Sequence, residues 1–392
     1  MKKSLIPLSL LCVVATLFAC SKSSTNLYDK TEANGRAARV ALVDGTDTNG
    51  ATWDPVTATS EVERVLSGSK GEAVDVILSN NDGMALGILA NATYQKSGVP
   101  IFGVDALSDA IQAIKNGTMA GTIKNDSYTQ AKVVLQLFKN LSEGAKTTAE
   151  LSKGITGTGG IDGAYDSYEE DTKAFRVHHQ KVTKANVDSL VTPKAVEANT
   201  VGETTNPTKK LFALTYNNAD PNMSGLWKPG FNDFGKEYGY QIEWVDGQND
   251  NQKQLEALDA ALDKDYDGYL INLVDQTNGQ AFIDKINKKN SDKPIIFWNR
   301  ELAKGDGSID TDLMKATANA YYVGIESAEG GRLQGEMAAE WFNSRYADNN
   351  KIDRNGDKKI GYIVVRGEKG HADAEARTVA SPKLLDEKLS IF

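Results

Sequence analysis

Cysteine and histidine are nearly missing from this 392-residue chain, which has two of the first and three of the second. That leaves no disulfide framework, no Cys/His zinc cluster and no Cys–His nucleophile pair. Basic charge is also short: 44 Lys and Arg stand against 53 Asp and Glu, for a formal charge of −9. A chain this acidic lacks the basic face that phosphate backbones require, so nucleic acid is excluded as a partner. G-x-S-x-G, H-E-x-x-H and G-x-x-x-x-G-K-[ST] are all absent. Their absence removes the common hydrolase, metalloprotease and nucleotide-phosphate signatures. The glycine-rich GITGTGGIDG at 154–163 fails the G-x-G-x-x-G spacing and follows no strand pattern, so it reads as a loop.

Long apolar runs are limited to the start of the chain. Basic Met1-Lys2-Lys3 precedes a mostly apolar stretch over 4–18, too short for a comfortable membrane span and suited to a signal-peptide core. It ends in Leu17-Phe18-Ala19-Cys20, a small residue before cysteine, which is the bacterial lipoprotein pattern. The expectation is a signal peptide over 1–19 and lipidation at Cys20. A polar tether over 20–34 would hold the protein to a membrane, in the periplasm or cell envelope. A plain secretory signal is the alternative.

The remainder alternates strand and helix patterns. Buried-strand runs fall at 39–43, 74–78, 99–104, 210–214, 268–274, 294–298 and 360–365. Helical patterns fall at 57–66, 83–95, 108–116, 128–141, 251–263, 278–288 and 327–344. This alternation predicts an α/β fold of doubly wound parallel sheets covered by helices. Residues 191–210, rich in Thr, Pro and Asn, read as a linker.

Polar residues close most of the strands. Asn80, Asn81 and Asp82 follow one; Asp105, Asp220, Asn299 and His371 follow others. Ligands of parallel sheets bind outside the carboxyl ends of the strands. Each of these residues could equally be a turn or a helix N-cap, but together they outline a polar cleft. Fixed amides, carboxylates and a guanidinium suit a small neutral polyol. Trp53 is a candidate plate for a sugar ring, or a core residue. Asp373 and Arg377 lie four apart, on one helix face if the segment is helical, where an exposed ion pair is the alternative. His178 and His179 read as surface positions. Asp353, Asn355 and Asp357 carry oxygens at positions 1, 3 and 5 of a calcium-type loop. A surface turn is the alternative there.

Two blocks are specific enough to carry a resemblance. One contains Val74-Asp-Val-Ile-Leu-Ser-Asn-Asn-Asp-Gly-Met-Ala, Val99-Pro-Ile-Phe-Gly-Val-Asp105 and Met119-Ala-Gly-Thr-Ile-Lys-Asn125-Asp. The other contains Tyr269-Leu-Ile-Asn-Leu-Val-Asp275, Ile295-Ile-Phe-Trp-Asn299-Arg-Glu and Arg366-Gly-Glu-Lys-Gly-His371-Ala-Asp-Ala-Glu-Ala-Arg377. They resemble the periplasmic galactose/glucose-binding proteins of ABC importers, over most of 36–190 and 211–388. The order is inverted. The first block looks like the family's carboxyl-terminal half and the second like its amino-terminal half, as in a circularly permuted chain.

The resemblance implies a type I periplasmic-binding-protein fold of two lobes joined by a hinge. Lobe one would be 35–124 with 177–190 and 323–392; lobe two would be 125–176 with 211–322. The linker 191–210 would join the family's usual ends. Trp53, Asn81, Asp105, Asn125, Asp220, Asn299, His371, Asp373 and Arg377 match sugar-binding positions. Asn222 stands where the family has a second stacking aromatic, for which Trp227 or Tyr216 could substitute. A structural Ca2+ is implied at Asp353, Asn355, Asp357 and the Lys359 carbonyl. Gly361 lacks the family's ligand side chain, and Asp75 replaces a longer Glu.

The expected function is therefore capture of D-glucose or D-galactose by a lipid-anchored monomer and delivery to an ABC permease, with no catalysis. A sugar-sensing domain for a chemoreceptor is the alternative, and a surface glycoside-acting enzyme a remote one, which would need paired carboxylates across the bond.

Overall fold

The computed structural model describes residues 35–47, 52–156, 161, 168–189, 207–346 and 352–392. The signal segment, Cys20, the tether and most of the 191–210 linker lie outside the described residues. Twelve strands are found among the described ones: β1 Ala37–Asp44, β2 Val76–Ser79, β3 Ile101–Phe102, β4 Thr122–Lys124, β5 Ala174–Val177, β6 Gln180–Val182, β7 Lys209–Thr215, β8 Tyr240–Asp246, β9 Gly268–Ile271, β10 Ile295–Trp298, β11 Ala320–Ile325 and β12 Ile360–Arg366. They build two parallel sheets. One has the order β1-β12-β2-β3 and the other β5-β11-β10-β9-β7-β8, while β4 and β6 form an antiparallel pair. Strands such as β10, β11 and β12 are buried at every residue, as expected where helices cover both faces.

The wiring is unusual in where it starts. In the six-stranded sheet, β7 takes the first place of a doubly wound unit, giving β8-β7-β9-β10-β11 as the order 2-1-3-4-5. In the four-stranded sheet that first place belongs to β12, the last strand of the chain, and β1 takes the second. The helix Ala372–Lys388 that follows β12 therefore ends where β1 begins. The junction is closed without a peptide bond. The backbone N–H groups of Arg36 and Ala37 donate to Asp386 Oδ1 at 2.6 and 2.8 Å, and the Arg36 guanidinium donates to the Leu389 carbonyl at 2.6 Å. Asp386 is fully buried. Losing its carboxylate would strand two amides, at about 1–3 kcal/mol each.

Three segments cross between the sheets. They follow β4 into helix Ser127–Ser142, join β5 to β6 through His178 and His179, and follow β11 into helix Ser327–Tyr346. The boundaries expected at 176/177 and 322/323 fall inside β5 and β11, which both pair wholly within the six-stranded sheet. The crossings sit just beyond those strands. Lys209, expected in the linker, already belongs to β7, as does Lys210, which the strand pattern includes.

Local chemistry explains other departures. The helix expected over 83–95 is two helices, Asp82–Leu89 and Ala92–Ser97. Asn91 breaks it by accepting from the Thr93 and Tyr94 amides as the second helix's cap. Helix Lys228–Tyr238 was not expected, and Pro229 sits in its first turn, where proline is tolerated.

Candidate functional site

All ten candidate side chains line one small pocket between the two sheets' strand ends: Trp53, Asn81, Asp105, Asn125, Asp220, Asn222, Asn299, His371, Asp373 and Arg377. Two further residues join them, Tyr216 and Arg300. Several of these pocket-lining residues also serve as turn or helix caps. Asn81 Oδ1 caps helix Asp82–Leu89 by accepting from Met84 N at 2.9 Å. That geometry commits its oxygen and leaves its amide N–H groups as donors. Asp220 Oδ1 accepts from the amides of Asn222 and Met223. His371 caps helix Ala372–Lys388, its Nδ1 accepting from Asp373 N at 3.1 Å, so its proton sits on Nε2.

Asp105 is held in place by strain. It has φ +121°, and Ala106 after it has φ +59°, both rare for side-chain-bearing residues. Fully buried Asp82 pins that turn: Oδ2 accepts from Leu107 N at 2.9 Å and Oδ1 from the Thr122 hydroxyl at 2.7 Å. Asn299 is also left-handed, with φ +63°, and Tyr322 donates to its carbonyl at 2.9 Å. Trp53 at φ +58° packs on Gly367, where a side-chain carbon would lie 2.2 Å from its ring. Its ring meets His371 edge-on at 5.4 Å. Trp53 also packs against a core cluster, so it serves as wall and as packing.

The electrostatics follow from burial. Burial pushes the Asp105 carboxyl well above the usual range, with Asp82 and Asp220 adding to the rise and Arg377 opposing it. Asp373 is lowered instead: burial raises it, but Arg377, His371 and Ser327 together outweigh that. Burial, reinforced by Arg300, lowers His371 to about 4, so the ring is neutral near pH 7. The pocket therefore presents carboxylate acceptors, amide groups of both kinds and fixed N–H donors. One buried acceptor, Asn222 Oδ1, has no partner.

Of the two aromatics considered for the gap at Asn222, Tyr216 lines the pocket. Trp227 is fully buried in the core against Trp298 and Phe231. Arg300 was not assigned any role; its only sequence cue was its place after a strand. His179, expected at the surface, is buried, and its Nδ1 lies 2.9 Å from Glu329 Oε2. That pairing joins two crossing segments, whereas His178 is exposed.

The residues of the 353–361 loop fit a calcium ion poorly. Asp75 stands where a bidentate ligand is needed, but both its oxygens accept backbone N–H groups, from Arg354 at 2.9 Å and Gly361 at 2.7 Å. Asp353 likewise accepts from Gly356 and Lys358. A side chain at position 361 would place its first carbon 1.7 Å from the Ala73 carbonyl oxygen. Among the described residues no three Asp, Glu, His or Cys side chains are grouped to hold a metal. The loop is closed by its own amides, with the Arg354 guanidinium donating to Val74 O at 2.9 Å. Melting temperatures in EDTA and in millimolar calcium should therefore agree within about 1 °C. A rise of several degrees with calcium, as mass action predicts for a tightly held ion, would contradict this.

Comparison with known proteins adds four findings. The family profile described as "Periplasmic binding protein domain" matches residues 30–146 and 212–391, well over half of the chain. A D-galactose/methyl-galactoside binding periplasmic protein, MglB of Haemophilus influenzae, is 49% identical over 96 residues, covering 24% of this chain and 29% of that protein. A xylitol-binding protein of Mycolicibacterium smegmatis is 30% identical over 95 residues, covering 24% and 27%. The matched stretches thus span less than a third of either relative. A crystal structure from Mycobacterium smegmatis in complex with β-D-fucofuranose covers 47% of this chain and 54% of that chain, at 17% identity and a TM-score of 0.35. That likeness is too distant to carry an argument.

Proposed function

The chain belongs to the periplasmic binding protein family, and on that premise we propose that it captures D-galactose or D-glucose between its lobes and hands the sugar to an ABC permease. The observation that carries the reading is the pocket's composition. Three carboxylates, four amides, two guanidiniums and a neutral imidazole converge with Trp53 and Tyr216 on a space between two sheets. A neutral hexose satisfies such a set, because each hydroxyl donates to a carboxylate and accepts from an N–H. Hydrogen bonds to charged groups contribute about 1.5–3 kcal/mol each. About four therefore approach the 8 kcal/mol or so of a micromolar complex. The name of the 49%-identical relative supports a galactose-type ligand.

Catalysis is not part of this reading. Asp220 caps a turn and Asp373 pairs with Arg377, and no serine, threonine or cysteine lines the pocket. Sensing by a receptor would use the same pocket, and no observation favours it over import.

Two features accompany the function. The first is the anchor: Ala19-Cys20 after an apolar run supports a lipid on Cys20. The second is the wiring. That β12 and β1 hold the first and second places of one sheet, with Asp386 of the last helix joined to Arg36 and Ala37, supports a circular permutation of the family order.

Each element has its own test. Asp105→Asn and Asp373→Asn should each weaken hexose binding at least tenfold, read by Trp53-dependent fluorescence; unchanged affinity removes that residue from the site. Cys20→Ala should move the protein from the membrane fraction to the soluble one, and continued membrane association would rule out the lipid. A chain rejoined from 392 to 36 and opened within 191–206 should fold and bind as the native one does. Failure to fold would count against the permutation.

A further inference from the structure

Among the described residues, one ion pair outside the hinge joins the two lobes, and it begins inside the pocket. Arg300 follows β10 of the six-stranded sheet and is 2% exposed. Its Nη1 donates to the Val274 carbonyl of its own lobe at 2.6 Å. Its Nη2 donates to Glu368 Oε2 at 3.0 Å, and Glu368 follows β12 of the four-stranded sheet. The guanidinium carbon lies 4.0 Å from the centre of the Tyr216 ring, which itself lines the pocket. Beside this pair, Ala372 N donates across the same gap to Gln276 Oε1 at 3.3 Å. Glu368, Gln276 and Ala372 also face a larger interlobe crevice of about 1160 Å³. His371 lines both spaces.

We propose that Arg300 and Glu368 form a latch between the pocket and the outer crevice, and that Arg300 is a positioning residue coupling an occupied pocket to the closed lobes. The inference rests on the sugar-binding reading above. Arg300 cannot serve as a freely rotating surface charge. Tyr216 covers one face of its fork, Val274 takes one nitrogen, and the left-handed backbone of Asn299 fixes where the side chain starts. A planar fork held this way aims a defined N–H at the opposite lobe, which a lysine ammonium could not reproduce. The Glu368 carboxylate is reached only when the lobes are together, so opening must break the pair. Breaking a hydrogen-bonded charge pair whose arginine is buried and whose carboxylate is partly so acts chiefly on the off-rate. A ligand that fills the pocket against Arg300 and Tyr216 keeps the guanidinium in register and so slows opening.

The test is a double-variant cycle with D-galactose and D-glucose as probes, combined with scattering of the ligand-free protein. Glu368→Gln and Arg300→Lys should each speed sugar release about tenfold or more in stopped-flow, with the association rate within about twofold of the native value. The double variant should be no faster than the quicker single one. High salt should speed release from the native protein and leave the double variant unaffected. Without ligand, Glu368→Gln should increase the radius of gyration, because the pair opposes separation of the lobes. Unchanged release after Glu368→Gln, or additive effects in the double variant, would overturn the latch. If neither hexose binds the native protein, the sugar reading fails. The scattering comparison then decides the latch alone, an unchanged radius counting against it.

Discussion

Everything in the site depends on polar groups being kept from water between two parallel sheets. Strand ends carry Asn and Asp because turns and caps favour them, and here two sets of strand ends face each other. Burial makes each unpaired group costly, so the pocket is organised around satisfying them. Asp82 takes an amide and a hydroxyl to hold the strained Asp105 turn. Asp220 spends one oxygen on two amides, and His371 spends Nδ1 on its helix. What stays uncommitted, such as Asn222 Oδ1, is what a ligand can use.

The charge pattern favours a neutral ligand over an ionised one. Arg377 lies 3.7 Å from Asp373, and Arg300 is joined to Glu368, so neither guanidinium is free to balance an added anion. Asp105 is disfavoured in its charged form by burial and by its acidic neighbours. A hydroxyl donor relieves that cost without bringing charge of its own. Helix Ala372–Lys388 carries His371, Asp373 and Arg377 at its start and Asp386 near its end, where it fastens Arg36 and Ala37. One helix therefore ties the pocket to the closure of its own sheet.

Much of this was legible in the sequence, for physical reasons that can be named. Buried parallel strands are continuous apolar runs, and 295–298 or 360–365 could hardly be anything else. Their polar endings marked residues that meet in one pocket, and the resemblance pointed to Asn222 among them. Short strands were harder: β4 and β6 have three residues each and draw their stability from pairing with one another. The edge strand β8 mixes exposed and half-buried positions, which blurs its pattern. His179 looks polar and exposed beside His178, and only the crossing of two segments at Glu329 buries it. Arg300 was illegible because its partner lies 68 residues away on the other sheet. The calcium-type spacing was real as a pattern, but spacing does not reveal that Asp75 is already engaged by backbone amides.

The most direct measurement is calorimetric titration of residues 21–392 with D-galactose, D-glucose and D-ribose, after unfolding and refolding to strip carried-over sugar. The account predicts one-to-one binding of at least one of the two hexoses at micromolar strength or tighter, with ribose much weaker. Absence of heat with both hexoses would contradict it, and would mean that the pocket built on Asp105, Asp373 and Asn222 serves a different ligand.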